Sequence, residues 1–102
     1  MFLARVVGTV WSTVKWPALS GIKLVLVRPI ELGDLPEAQP DRDTEGVVAA
    51  DTLDAGVGDL VVVAFGHAAR VAVAQDLGPS DAPPHPIDAA VVMIVDGMNL
   101  AT

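Results

Sequence analysis

The most apolar stretches of this chain are short. Two runs, residues 60–65 and 89–95, contain no polar side chain, and glycine or aspartate brackets both. Runs of this length between turn-forming residues are typical of strands buried on both faces. Because the sequence predicts no long helices to cover a sheet, we expect a sheet closed into a barrel. Its interior would cover one face, and a neighbouring subunit would cover part of the other.

The pattern along the chain predicts five strands and one short helix. The Ala-rich stretch 68–77, followed by Gly78 and Pro79, is typical of a helix with a C-terminal glycine stop. Gly56 and Gly58 predict a tight turn, and we expect the strands on either side of it to pair as a hairpin. The five strands are expected at residues 2–14, 22–27, 47–53, 60–65 and 87–95.

Two segments lack a sustained apolar period. Residues 31–45 place glycine and proline among acidic side chains, which predicts a long exposed loop. Residues 79–86 contain four prolines and predict a rigid connection to the last strand. The fold expected for residues 1–102 is therefore a single all-β domain, a small five-stranded OB-like barrel with one short helix.

The apolar content exceeds what one small core can hold. Hydrophobic residues make up 52% of the chain and aromatic residues only 4% of it, and the mean hydropathy is +0.52. Such an excess indicates burial between subunits or in a membrane. A membrane helix needs about 20 apolar residues, and Arg5 interrupts the N-terminal apolar stretch, so we expect neither a membrane span nor a secretory signal. The absence of cysteine agrees with a cytoplasmic location.

The charge balance argues against nucleic acid as a partner. Thirteen acidic and six basic residues give a net charge of -7, which repels phosphates and anionic lipid. Lys15 and Lys23 have no basic patch around them and are expected to be solvated. An OB-fold module for a small ligand or a single strand remains the alternative. It would need a basic groove with stacking aromatics, and the chain has no Tyr and two Phe.

The sequence offers little for catalysis. His67 and His85 are the only histidines, and their spacing is not that of a metal site. A triplet of Ser20, His67 and Asp88 can be written, but no nucleophile motif surrounds it. We therefore expect no catalytic residue, metal or cofactor, and a small enzyme is the least favoured class. The two tryptophans, at positions 11 and 16, are more typical of interface anchors or barrel plugs than of ligand stackers.

Four sequence blocks follow one another along the chain. They are RVVGTVWSTVK at residues 5–15, GIKLVLVRP at 21–29, DTLDAGVGDLVVVAFGHAAR at 51–70 and IDAAVVMIVDGM at 87–98. In content, order and spacing they resemble the EutN/CcmL family of bacterial microcompartment vertex proteins. The resemblance leaves out mainly residues 31–45 and 79–86.

The resemblance implies a structural role. It implies a cytoplasmic β-barrel protomer that assembles into a homo-pentamer with a narrow central pore. The pentamer would cap the vertices of a polyhedral shell otherwise tiled by hexameric and pseudohexameric shell proteins. A head-to-tail interface suits such a ring, because it closes when the rotation per subunit is a whole fraction of a turn.

The resemblance also suggests a pore lining. The segment from Ala55 to Asp59 would lie close to the five-fold axis, where five copies of any side chain crowd together. From the residues alone, its two glycines more simply provide positive φ or close backbone approach at a turn. The candidate pore-lining residues are Ala55, Gly56, Val57, Gly58 and Asp59.

A second candidate site is a contact with a neighbouring tile of the shell. An arginine after a small-residue stretch would pair there with a carboxylate or carbonyl, although the same stretch is also an ordinary helix start. The family more usually has serine near position 67. His67 of this chain has no hydroxyl group for such a contact, and its imidazole would make the contact sensitive to pH. The candidate shell-contact residues are Gly66, His67, Ala68, Ala69 and Arg70.

Overall fold

The structure, a computed structural model, describes residues 1–31, 46–77 and 86–99. Five strands and one α-helix are present in these ranges, together with a short 3-10 helix at Pro17–Leu19. Most of the predicted loop 31–45, most of the proline-rich segment and His85 lie outside the described residues. The elements are β1 (Phe2–Val10), β2 (Leu24–Pro29), β3 (Val47–Asp51), β4 (Leu60–Phe65), α1 (His67–Leu77) and β5 (Ala89–Ile94).

The strands form a closed barrel in the order β1, β2, β3, β5, β4. Neighbours are antiparallel except β3 and β5, which run parallel. The expected all-β barrel with one short helix is confirmed. The helices of the described part of the chain are too short to cross a lipid bilayer.

The predicted hairpin between β3 and β4 is wrong, because β5 lies between these two strands. The connection 52–59 runs to β1 instead of folding back on β3. There the Val6 amide donates to the Asp59 carbonyl at 3.0 Å, and the Gly58 amide donates to the Val6 carbonyl at 2.8 Å. Glycines predict a turn from local conformation alone, and they do not specify which strand the chain meets after it.

Small side chains fill the barrel. Valines and alanines from all five strands form the main core cluster. Ala69 and Val73 of α1 form a second cluster with Ala50 and Ala90, which alternate with the inward residues of β3 and β5, so α1 packs on the outer face of the sheet. Phe2 packs against the main cluster from a partly buried position. The other inward positions take small side chains because a barrel of five strands has a narrow interior. This explains the low aromatic content. The largest side chains with less than 2% exposure are Val6, Val25, Val27, Val61, Val63 and Val73.

β1 is shorter and less regular than the sequence predicts. The pairs Val6 with Val27 and Gly8 with Leu26 leave Val7 as an extra residue, which is a β-bulge. A bulge reverses the alternation of inward and outward side chains, so Val10 does not follow Val6 into the core and is 36% exposed. The strand ends there, and residues 11–14 lie beyond it.

Candidate functional site

The connection from β3 to β4 begins at a buried carboxylate. The Asp51 side chain is fully buried, and its oxygens accept hydrogen bonds from the amides of Leu53 at 3.0 Å and Ala55 at 2.8 Å. The Lys23 Nζ lies 3.2 Å from Asp51 Oδ2. A carboxylate is tolerated inside a protein only when its oxygens are paired in this way. Asp51 therefore fixes the backbone of residues 53–55.

Lys23 completes this network from the segment before β2. Its Nζ donates to Asp54 Oδ1 at 3.1 Å and to the Ala55 carbonyl at 2.7 Å. The pKa of Lys23 is raised above its ordinary value of 10.5. The hydrogen bond to Asp54 is the largest cause, and the hydrogen bond to Asp51 also contributes. The ammonium is thus held in its charged form. The Lys23 side chain is 38% exposed, as expected for a solvated lysine, but it also anchors the connection to a buried acid, which the sequence did not indicate.

The turn that follows is held at both of its ends. The Gly56 amide donates to Asp59 Oδ2 at 2.8 Å, and the Asp59 amide donates to the Gly56 carbonyl at 3.0 Å. Arg5 Nη1 donates to the Gly58 carbonyl at 3.0 Å. Together with the two backbone bonds to Val6, these contacts fix residues 56–59 against β1. Gly58 has φ +95°, a conformation that side chains disfavour, whereas Gly56 is not in that region.

The five candidate pore residues differ in what they present. Ala55 is 1% exposed and belongs to the barrel core, so its side chain faces away from any opening. Val57, at the tip of the turn, is 67% exposed and has the largest apolar side chain of the five. Asp59 is half-buried and is engaged by Gly56. If this segment borders a pore, Val57 supplies the side chain that narrows it.

A cleft of about 470 Å³ opens beside the turn. Arg5, Asp59 and Asp96 contribute its charged groups, and Leu60, Val95 and Met98 contribute apolar surface. The described residues that line it include no histidine, hydroxyl or thiol. Among residues 1–31, 46–77 and 86–99, no group of three or more histidine, cysteine or acidic side chains is placed to hold a metal ion.

The candidate shell-contact segment forms the corner between β4 and α1. Gly66 has φ +64°, and its amide donates to the Asp88 carbonyl at 2.8 Å. His67 and Ala68 are exposed on the first turn of α1, and Arg70 is half-buried. Ala69 is fully buried against the second core cluster, so it supports the helix and offers no external contact.

The Asp51 and Lys23 pair was not among the residues that the sequence singled out. The signal available was an acidic residue inside the apolar stretch 47–53, where a carboxylate requires a partner. The partner itself lies on a distant segment that only the register of β2 and β3 brings close.

We expect Asp51→Asn to destabilise the fold by about 2 to 3 kcal/mol, because the amide group cannot accept one of the two backbone bonds and removes the charge opposite Lys23. Asp54→Asn is the matched control. Asp54 is 97% exposed, and its φ of 62° suits asparagine equally well, so unfolding should change little. Urea unfolding at fixed protein concentration measures both variants. Equal losses would contradict the assigned role of Asp51.

Comparison with known proteins agrees with this geometry. Residues 1–96 match the family described as Ethanolamine utilisation protein EutN/carboxysome. The microcompartment shell vertex protein PduN of Salmonella typhimurium is 47% identical, over 97% of this chain and 99% of its own. The carboxysome shell vertex protein CcmL of Synechocystis is 42% identical, over 100% of this chain and 89% of its own.

Solved structures share the fold. The GrpN pentameric microcompartment shell protein from Rhodospirillum rubrum is 39% identical, with TM-score 0.72 over 99% of this chain and all of its own. CcmL of Gloeobacter violaceus is 34% identical, with TM-score 0.77 over 98% of this chain and 90% of its own. Since sequence and fold agree over almost the full length, the chain belongs to the EutN/CcmL family.

Proposed function

We propose that this chain is a structural protein of a bacterial microcompartment shell, and that five copies form a ring that closes a vertex of the shell. The observation that carries the proposal is the match over 99% of this chain, in sequence and in fold, to a protein described as a pentameric microcompartment shell protein. The named relatives PduN and CcmL are both described as shell vertex proteins. We infer a structural role and no catalysis.

The surface of the protomer supports association. The barrel interior is already filled by its own side chains, so apolar side chains left outside can be buried only by another molecule. Large exposed apolar residues occur in the segment after β1, on β3, β4 and β5, and at the turn around residue 57. They include Trp11, Val14, Trp16, Val48, Val57, Phe65 and Met93.

A ring of five gives the role its geometry. Hexagonal tiles lie flat, and a five-fold unit introduces the curvature that closes a polyhedron. In this proposal the neighbours are hexameric and pseudohexameric shell proteins, and the assembly lies in the bacterial cytoplasm. The segment Gly66 to Arg70, of which His67, Ala68 and Arg70 are accessible, is proposed to contact such a tile. Residues 56–59 are proposed to border a central pore.

The stoichiometry is tested by native mass spectrometry of the purified chain. We expect one dominant species at five times the protomer mass of 10.5 kDa at micromolar concentration. A monomer or a dimer under these conditions would count against the ring. Binding of an oligonucleotide or oligosaccharide by such a monomer or dimer would favour the alternative, a ligand-binding barrel.

For the pore, the informative position is Val57. A bulky residue at Gly58 would strain the backbone at φ +95°, whereas Val57 has an ordinary conformation and an exposed side chain. We expect Val57→Trp to fill the central opening and Val57→Thr, which has nearly the same volume, to leave its diameter unchanged. Cryo-electron microscopy of the two rings measures this difference. An open centre in the tryptophan variant would refute the pore assignment.

For the tile contact, we expect Arg70→Ala to weaken association of the ring with shell hexamers about tenfold, since a hydrogen-bonded charge is lost. Arg70→Lys keeps the charge but not the planar donor geometry, and should fall between wild type and the alanine variant. Co-sedimentation with assembled hexamer sheets measures the affinity, and native mass spectrometry checks that each ring is intact. Unchanged co-sedimentation of the alanine variant would exclude Arg70 from the contact.

A further inference from the structure

Both tryptophans of the chain lie on one exposed segment. We call residues 11–23, between β1 and β2, the arm. Trp11 is 83% exposed, Val14 is 88% exposed and Trp16 is 70% exposed. None of these three side chains belongs to either core cluster. The largest apolar side chains of the chain therefore contribute little to the fold of the protomer.

The backbone of the arm is ordered by its own hydrogen bonds. The Ser12 hydroxyl donates to the Val14 carbonyl at 2.8 Å and accepts from the Val14 amide at 3.2 Å. Lys15 Nζ donates to the Ser12 carbonyl. The Leu19 amide donates to the Trp16 carbonyl at 2.9 Å, at the start of the 3-10 helix. An arm that is ordered before association loses less conformational entropy when its tryptophans are buried by a partner.

A groove lies beside the exposed aromatics. It has a volume of about 560 Å³ and is lined mainly by apolar side chains of the arm and of the adjoining strand ends. It is large enough to take side chains from another molecule. The apolar residues that line it are Val10, Trp11, Val14, Leu19, Ile22 and Leu24.

The charge distribution identifies the partner. Residues 10–24 contain no acidic residue; of their two lysines, Lys23 is paired with Asp51 and Asp54 of its own protomer, and Lys15 is exposed. The rest of the chain contains four basic and thirteen acidic residues, a charge of -9. The arm is thus complementary to the body of a second copy, and two arms facing each other would repel. Such complementarity between different surfaces is the condition for a head-to-tail ring.

The exposed area is also of the right size. The two tryptophans and Val14 together expose on the order of 500 Å², against roughly 800 Å² per partner in a specific interface. A contact centred on the arm would therefore supply more than half of one subunit interface. Tryptophan is also the residue type most often found at the energetic centre of such contacts.

We propose that the arm of one protomer packs on the barrel body of the next protomer in the ring, with Trp11 and Trp16 buried in that contact. The inference rests on the proposed ring and assigns the arm to closing it, not to contacts with hexameric tiles. Each subunit then donates its arm to one neighbour and receives an arm from the other.

Fluorescence tests the proposal directly. The chain has no tyrosine, and its two tryptophans are both on the arm, so the emission reports the arm alone. The ring and its dissociated protomers, separated by dilution and identified by native mass spectrometry, are compared. We expect a blue-shifted emission and a several-fold lower acrylamide quenching constant in the ring. Trp11→Phe and Trp16→Phe assign the signal to each position.

Truncation gives a second measurement. We expect Trp11→Ala and Trp16→Ala each to raise the protomer concentration at half-dissociation at least tenfold. Thr13→Ala, an exposed position on the same arm, should stay within twofold of wild type. Circular dichroism checks the fold. Should a truncated variant fail to fold, the phenylalanine variants and the quenching data still decide.

The two proposals fail differently. An intact ring of five whose tryptophans are quenched as readily as those of the protomer would overturn the assignment of the arm and leave the vertex proposal standing. Wild-type dissociation of both alanine variants would likewise overturn the assignment of the arm and leave the vertex proposal standing. Absence of any ring at all accessible concentrations would overturn both.

Discussion

β5 closes the sheet by pairing with β3 on one side and with β4 on the other. Closure pairs every strand with two neighbours over part of its length, so little free edge remains on which a second subunit could extend the sheet. Association between copies of this protomer then relies mainly on side chains and loops. That is why the exposed apolar residues of the arm and of the outer strand faces matter more for assembly than the backbone does. Closure therefore shapes the interface as well as the fold.

The same closure determines the course of the connection 52–59. Because β5 occupies the position next to β3, the chain must leave β3 and cross to β1 before β4 can begin. A free crossing of this length would be mobile. Here Asp51 and Lys23 fix its first half, and backbone bonds to Val6 fix its second half. The exposed tip at Val57 is thus carried by a rigid support, as the proposed pore lining would require.

The sequence located the strands and the helix because short apolar runs and a glycine stop are local signals. It did not locate the neighbours of β3 and β4, since pairing with β5 depends on residues far along the chain. The bulge at Val7 was not predicted for a related reason, because one extra residue leaves the apolar composition of the strand unchanged. The ion pair of Lys23 was not predicted, because nothing local places it against Asp51. The ring came only from the resemblance to a family.

The apolar residues divide into two groups by size. The narrow interior takes valine and alanine, each of which removes little area from water, so the isolated protomer gains less from its core than a domain with larger side chains would. Three of the four aromatic side chains are exposed: both tryptophans on the arm, and Phe65, which stacks on the partly buried Phe2 at a centroid distance of 5.1 Å. Large side chains are thus available for association. Since binding between copies stabilises the folded state by mass action, the ring can supply stability that the small core lacks.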